Sequence, residues 1–209
     1  MEVKKNKDWV GNSIALFSCN GASNHSLEER AIRDFYSSDP ICAEWLLKLE
    51  PQINDIWENA VGNGALAEVF RKAGKLKAVS DIVDRGYYPE YISTKYNLDF
   101  LTFNKKWKGD IVTNPPYNVC LDWAKHQLEL LEDGRFSALF MKLTFLEGKG
   151  RKSFLENNPP LRVWVSSSRI MCYKNGNVEE GKKNSSAACY AWFIWQKGYK
   201  GDTIIKWFN

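Results

Sequence analysis

Asn114-Pro115-Pro116-Tyr117 is the tetrapeptide of this chain best suited to chemistry. Its two prolines fix φ and remove two backbone donors, leaving carbonyls free to face a pocket. Asn114 adds a side-chain carbonyl acceptor. An exocyclic NH2 presents two hydrogens, which Asn114 Oδ1 and the Pro115 carbonyl can accept together. Held so, the nitrogen lone pair is localised and aimed at a methyl group. No strong base is required, because the methylated nitrogen is acidic and loses its proton to solvent. Tyr117 supplies a ring for a planar base or amide, and stacking contributes about 1–3 kcal/mol for a nucleobase.

The methyl donor has a candidate site upstream. Gly62-Asn63-Gly64-Ala65-Leu66-Ala67 fits G-x-G-x-x-G/A after an apolar strand pattern and at the head of a helical one. The glycines permit a tight turn and a close approach of ligand to backbone. Asp81, ending the next strand pattern, is placed for ribose hydroxyls. Two cofactor classes share this geometry. A dinucleotide requires a helix N-terminus for its pyrophosphate. S-adenosylmethionine has no phosphate and carries a sulfonium, so it favours acidic neighbours, and Glu58 suits it better than it suits a pyrophosphate. Asp99 and Phe100 offer an acceptor for the adenine amine and an apolar face for its ring.

These groups need elements to position them. Ser26-Leu27-Glu28-Glu29 has capping-box spacing and predicts a helix to about Tyr36. Asp39-Pro40 predicts an N-cap and first helical residue for a helix to about Glu50. Strands are predicted at Ile53–Trp57, Leu76–Ser80, Asp110–Thr113, Phe136–Lys142, Arg162–Val165 and Ala187–Trp195. Helical spacing covers Leu66–Ala73 and Val119–Glu132. The alternation predicts an α/β sheet, largely parallel and covered on both faces. Ligands bind such sheets beyond the strands' carboxyl ends, where Glu58, Asp81 and Asn114 all fall.

Composition sets the outer bounds. The 209 residues are 44% hydrophobic and 26% charged, a balance that excludes a disordered tail, a collagen and a disulfide-stapled miniprotein. A formal charge of +4 permits a polyanionic partner without demanding one. The five cysteines form no C-x-x-C pair, and Cys42, Cys120 and Cys189 lie in apolar runs. Buried thiols in a reducing cytoplasm are therefore expected. No apolar run approaches a membrane span, and Leu16-Phe17-Ser18-Cys19 only faintly resembles a lipoprotein cleavage box. His25 and His126 lack partners at ligand spacing, so no metal is assigned and His126 reads as an exposed helical residue.

The chain resembles the adenine-N6 DNA methyltransferases, in particular the compact kind carried by phages and prophages. The resemblance runs through Gly21–His25, Asp34–Pro40, the glycine loop, Ser80–Tyr87, Asp99–Leu101, Asn114–Tyr117, Arg169 and Ala191–Gly198. It implies a class I S-adenosylmethionine-dependent methyltransferase, with a Rossmann-like, seven-stranded, mostly parallel sheet whose last strand is antiparallel. It also implies one methyltransferase domain over 1–209, in which a helical segment (1–50) closes over the cofactor held by the core (51–209). Tyr36, Ser38 and Asp39 would close on the methionine end of S-adenosylmethionine. Glu58, Gly62 and Gly64 would line its first loop, Asp81 its ribose, and Asp99 and Phe100 its adenine. Asn59 stands where proline is usual, and Ser38 where threonine is usual.

The activity implied is methylation of adenine N6 in DNA, with the base flipped out to Asn114, Pro115, Pro116 and Tyr117. Between Tyr117 and the last core strand there is no room for a separate target-recognition domain. DNA would be held by two basic loop clusters, Lys142, Lys149, Arg151 and Lys152, and Lys174, Lys182 and Lys183. Two alternatives stay open. The same tetrapeptide would serve methylation of an RNA base or a protein glutamine amide. A non-catalytic DNA-binding or antirestriction protein would keep only a vestigial pocket.

Overall fold

The computed structural model describes residues 35–179 and 188–209, which belong to one compact unit. In chain order the strands are β1 (Tyr36–Ser38), β2 (Ile56–Glu58), β3 (Leu76–Ser80), β4 (Ser93–Lys95), β5 (Ile111–Thr113), β6 (Phe136–Lys142), β7 (Arg162–Ser166), β8 (Cys172–Lys174), β9 (Tyr190–Gln196) and β10 (Ile204–Phe208). The helices are α1 (Ile41–Leu49), α2 (Ala65–Lys72), α3 (Cys120–Leu130) and α4 (Lys149–Asn157). Eight strands make the main sheet in the order β10-β7-β9-β6-β5-β2-β3-β4. All of its pairs are parallel except those of β9, which runs antiparallel to both β6 and β7. The sheet thus has the expected antiparallel strand, and one strand more than the seven expected. β10 follows β9 in sequence and adds to the outer edge of β7.

Each face of the sheet is buried. Alternation along β9 sends Trp192 and Ile194 to one core and Ala191, Phe193 and Trp195 to the other. α1 and α2 cover the first face through Leu46, Leu66 and Phe70. α3 and α4 cover the second through Trp123, Leu128 and Phe154. This double cover is why β6 and β9 read as continuous apolar runs.

The start of α1 follows its sequence signal: the Ile41 N–H donates to Asp39 Oδ1 at 3.0 Å, and Pro40 occupies the helical region at φ −53°. Several other features depart from it. Tyr36 begins a strand rather than ending a helix; the rest of the helix predicted from Ser26 lies outside the described residues. β2 starts at Ile56 instead of Ile53, because a turn with Asp55 at φ 49° intervenes. β1, β4 and β8 are three residues each, too short to show a period, and β10 exposes four of its five residues. α4 buries only Phe154, so it carries almost no amphipathic signal. Of the cysteines expected to be buried, Cys42 is, Cys120 is partly so, and Cys189 is exposed. Among the described residues no helix is long and apolar enough to cross a membrane.

One buried charge ties the end of α1 to the sheet. Glu50, 1% exposed, accepts from Arg162 Nε and Nη2 at 2.5 Å each and from Trp164 Nε1 at 2.7 Å. Removing the carboxylate strands a partly buried guanidinium and an indole N–H together. Glu50→Ala is therefore expected to lower the unfolding free energy by about 3–5 kcal/mol, as measured by urea denaturation.

Candidate active site

The glycine loop joins β2 to α2. Gly62 and Gly64 both have positive φ, +58° and +84°, which side-chain-bearing residues rarely adopt. A Cβ on Gly62 would come within 2.5 Å of the Phe35 ring, and one on Gly64 would collide with Tyr87. Two aromatic rings thus wall the loop. Asp81, at the end of β3, pins it: Oδ2 accepts from the Gly62 N–H at 2.8 Å. Oδ1 accepts from the Val83 N–H at 2.9 Å and from Arg85 Nη1 at 3.0 Å. A carboxylate offers about four acceptor sites, so Oδ2 keeps capacity for one further hydroxyl. The Arg85 guanidinium lies 4.2 Å from the centroid of the Phe35 ring.

Glu58 lies at the carboxyl end of β2, 2% exposed. Burial, and then the charge of Asp81, push its carboxyl well above the usual range, against a lowering hydrogen bond from the Ala67 N–H. Its Oε2 has no partner. Next to it, Asn59 Oδ1 accepts from Trp123 Nε1 at 3.1 Å and Gln127 Nε2 at 3.3 Å. Gln127 in turn accepts from Ser137 Oγ at 2.5 Å. Asn59, the departure from the usual proline, thereby ties the end of β2 to α3 and β6.

Five buried side-chain polar atoms lack a hydrogen-bond partner among the described residues: Glu58 Oε2, Asn59 Nδ2, Thr113 Oγ1, Asn114 Oδ1 and the Tyr117 hydroxyl. All five belong to residues at or just after the carboxyl ends of β2 and β5. Those neighbouring parallel strands are where the strand order reverses, the position at which open α/β sheets bind ligands. Buried polar groups in native proteins are seldom orphaned, so such a concentration marks a site completed by a ligand.

Asn114 directs its amide nitrogen to β1, donating to the Tyr36 carbonyl at 3.0 Å and to Ser38 Oγ at 2.8 Å. The Tyr117 ring is not the open platform expected from the sequence. Tyr36 lies against it at 5.4 Å between centroids, and Lys142 Nζ lies 5.2 Å from its centre. Its buried hydroxyl lies close to the Cys172 thiol and the Tyr190 hydroxyl, and burial raises its pKa well above the usual value. The β1–β8 ribbon also reaches the other half of the site, where Ser37 Oγ donates to Asn63 Oδ1 at 2.9 Å. Phe35, Ser37, Tyr87, Cys172 and Tyr190 escaped sequence reasoning. Two serines beside Tyr36 were a visible hint, but nothing local marks residues that meet across 26 positions, as Ser37 and Asn63 do, or across 134, as Ser38 and Cys172 do.

The remaining predicted residues divide. Asp39 caps α1 and accepts from the Tyr173 hydroxyl at 3.4 Å, a structural use of both its oxygens. Asp99 is exposed and caps a short turn through the Leu101 N–H. Phe100 is 1% exposed, packed by Trp57, Trp123 and His126, so here its ring serves the core. Lys149 and Lys152 are exposed on α4, Lys152 beside Glu156 at 3.6 Å. Arg151 is bound internally, to the carbonyls of Glu147 at 2.7 Å and Thr144 at 3.1 Å. Lys174 lies in β8 opposite Tyr36, while Lys182 and Lys183 lie outside the described residues. His126 is half-buried rather than exposed, with Nε2 at 2.8 Å from the Phe103 carbonyl.

Solved structures share this architecture. A protein named as a class I S-adenosylmethionine-dependent methyltransferase from Listeria monocytogenes superposes with a TM-score of 0.53 at 11% identity, over 93% of this chain and 71% of its own. The type IIG restriction endonuclease BpuSI gives 0.59 at 16% identity, over 90% of this chain but only 28% of its own length. A protein named as an RNA methyltransferase from Pyrococcus horikoshii gives 0.53 at 11%, over 76% and 82%. The fold is the class I methyltransferase fold. No protein-family model matches the chain, and comparison with curated protein sequences finds no match. At these identities the likeness extends to the fold alone.

Within this methyltransferase fold, Glu58 makes the site sensitive to pH. Its carboxyl titrates higher folded than unfolded, so the folded state holds a proton that the unfolded state has released. Unfolding free energy is therefore expected to fall as pH rises above about 4.5, the ordinary value, towards the raised one. Glu58→Gln, which cannot ionise, should lose that slope and be more stable than the wild type at neutral pH. Urea denaturation of both proteins across that range, without ligand, measures the difference.

Proposed function

We propose that the protein transfers a methyl group from S-adenosylmethionine to the N6 amine of adenine in DNA. The observation that carries this reading is Asn114 Oδ1 at the end of β5, buried and without a donor among the described residues. An exocyclic amine is such a donor. The cofactor side fits as well: Glu58 keeps an orphaned buried oxygen beside Asp81, and such a pair calls for a cation. S-adenosylmethionine supplies a cationic sulfonium bearing the methyl group when bound.

The chain's own residues then have separable tasks. Glu58 faces the positive charge, and Asp81 accepts a ribose hydroxyl while holding Gly62. Asn114 Oδ1 accepts one amine hydrogen and, with the Pro115 carbonyl taking the second, localises the nitrogen lone pair. The new N–C bond forms as the methyl–sulfur bond breaks, and the amine proton leaves to solvent. Adenine N6 cannot reach a recessed pocket from within a duplex, so the base is flipped out, at a cost of a few kcal/mol. Exposed Lys149 and Lys152, and Lys142 beside Tyr117, supply positive charge for the backbone. The resemblance to adenine-N6 enzymes in Tyr36–Pro40 and Asn114–Tyr117 favours DNA over other amines.

Digestion and mass analysis of DNA, RNA and protein from cells expressing the chain tests this reading. N6-methyladenine in DNA is expected; a mark confined to RNA or to glutamine would move the substrate. No transfer to any of the three would end the enzymatic reading. Asn114→Ala should lower kcat by roughly 10²–10³-fold, the usual loss when one oriented hydrogen bond to the reacting group is removed. The Kd for S-adenosylmethionine should barely change in that variant. Asp81→Ala should do the reverse, raising the Kd roughly 10- to 150-fold by calorimetry through loss of a charged hydrogen bond.

A further inference from the structure

Ser38 was expected, by resemblance, to touch the cofactor. Its surroundings give it another task. It is 3% exposed, and its Oγ is 2.8 Å from Asn114 Nδ2 and 3.8 Å from Cys172 Sγ. The second neighbour of Asn114 Nδ2, at 3.0 Å, is the Tyr36 carbonyl. A carbonyl can only accept, so the amide must present its NH2 there; the flipped amide would set two acceptors against each other. Both amide hydrogens are then satisfied by β1, and Oδ1 is the atom left over, buried and without a partner. Ser38 Oγ, accepting from Asn114, also pairs with the Cys172 thiol across the β1–β8 ribbon, where either group can donate.

We propose that Ser38 is a positioning residue: with the Tyr36 carbonyl it locks the Asn114 carboxamide so that Oδ1 alone faces the target amine. This inference rests on the methyl-transfer reading above for its catalytic consequence, but the lock itself does not. A primary amide with one tether can rotate; here the Tyr36 carbonyl, which can only accept, sets which end faces β1, and Ser38 Oγ holds the second amide hydrogen in that orientation. Ser38 on β1 and Asn114 after β5 are 76 residues apart, so the orientation exists only when the ribbon is docked. Threonine at this position would preserve the acceptor.

The test uses the full chain. In Ser38→Ala, kcat for transfer from S-adenosylmethionine to genomic DNA free of N6-methyladenine should fall roughly tenfold, the equivalent of one neutral hydrogen bond lost from the support of Asn114 rather than from the reacting group. The calorimetric Kd for S-adenosylmethionine should stay within about twofold, and Ser38→Thr should recover most of kcat. An independent readout is the side-chain amide 1H–15N pair of Asn114, assigned by its loss in Asn114→Ala. One of its two protons should move upfield in Ser38→Ala as its hydrogen bond is lost. If the alanine variant fails to fold, Ser38→Cys, with a weaker acceptor, should show the same kcat loss and the same spectral shift. A raised cofactor Kd with kcat unchanged would make Ser38 a cofactor contact and overturn the proposal. Unmoved amide signals would overturn it too. Wild-type protein that transfers no methyl group while the amide shift appears would instead fail the methyl-transfer reading and leave the lock standing.

Discussion

β2 sits between β3 and β5 with all three strands parallel, and much of the molecule follows from that constraint. The chain leaving β2 must return to β3 across one face, through α2, and the chain leaving β5 must reach β6 across the other, through α3. The two connections diverge, so neither fully covers the strand ends between them. Glu58, Asn59, Thr113 and Asn114 lie there. Glu58 meets α2 at the Ala67 N–H and Asn59 meets α3 through Trp123 and Gln127, yet each of the four keeps a side-chain atom without a partner among the described residues. Leaving a buried polar atom unpaired costs about 1–3 kcal/mol, so their strain is tolerable only over a well-packed base. That base is the β6–β9 pair, where Phe140, Trp192, Phe193 and Trp195 are almost fully excluded from solvent.

The cleft left by the sheet is bridged by a second, much smaller element. β1 and β8 pair in three residues each, and neither belongs to the main sheet. Their ribbon reaches the glycine loop through Ser37 and the end of β5 through Tyr36 and Ser38. One strand only three residues long thus contacts both half-sites. The same ribbon helps to enclose Tyr117: Tyr36 on β1 and Tyr190 on β9 border its ring.

Electrostatics add a further asymmetry. Glu58 and Asp81 are neighbours, yet they are treated differently by the fold. Asp81 receives two backbone N–H donors and a guanidinium. Glu58 receives the Ala67 N–H and is otherwise enclosed, and burial drives its carboxyl upward. One carboxylate builds the loop, and the other keeps a buried oxygen without a partner among the described residues. The two roles come from solvation and hydrogen bonding, since the side chains are nearly alike.

The sequence by itself determined the layer order and the strands flanking the site. Leu76–Ser80 and Phe136–Lys142 were legible to the residue, because apolar residues bounded by turn formers carry their own period. Asn114–Tyr117 and the glycine loop were legible for a similar reason: prolines and positive-φ glycines restrict the backbone wherever they occur. Tertiary structure alone decided which groups those motifs meet. Asp39 and Arg151 have the chemistry of ligand contacts, but neighbours distant in sequence or fold consume it. Phe100 looked like a ring for a cofactor until Trp57 and Trp123 closed on it. The lock on Asn114 depends on a three-residue strand pairing with another across more than 130 residues. Periodicity and local backbone restriction are properties of a segment, whereas the direction of a carboxamide is set by whatever the fold brings to within 3 Å of it.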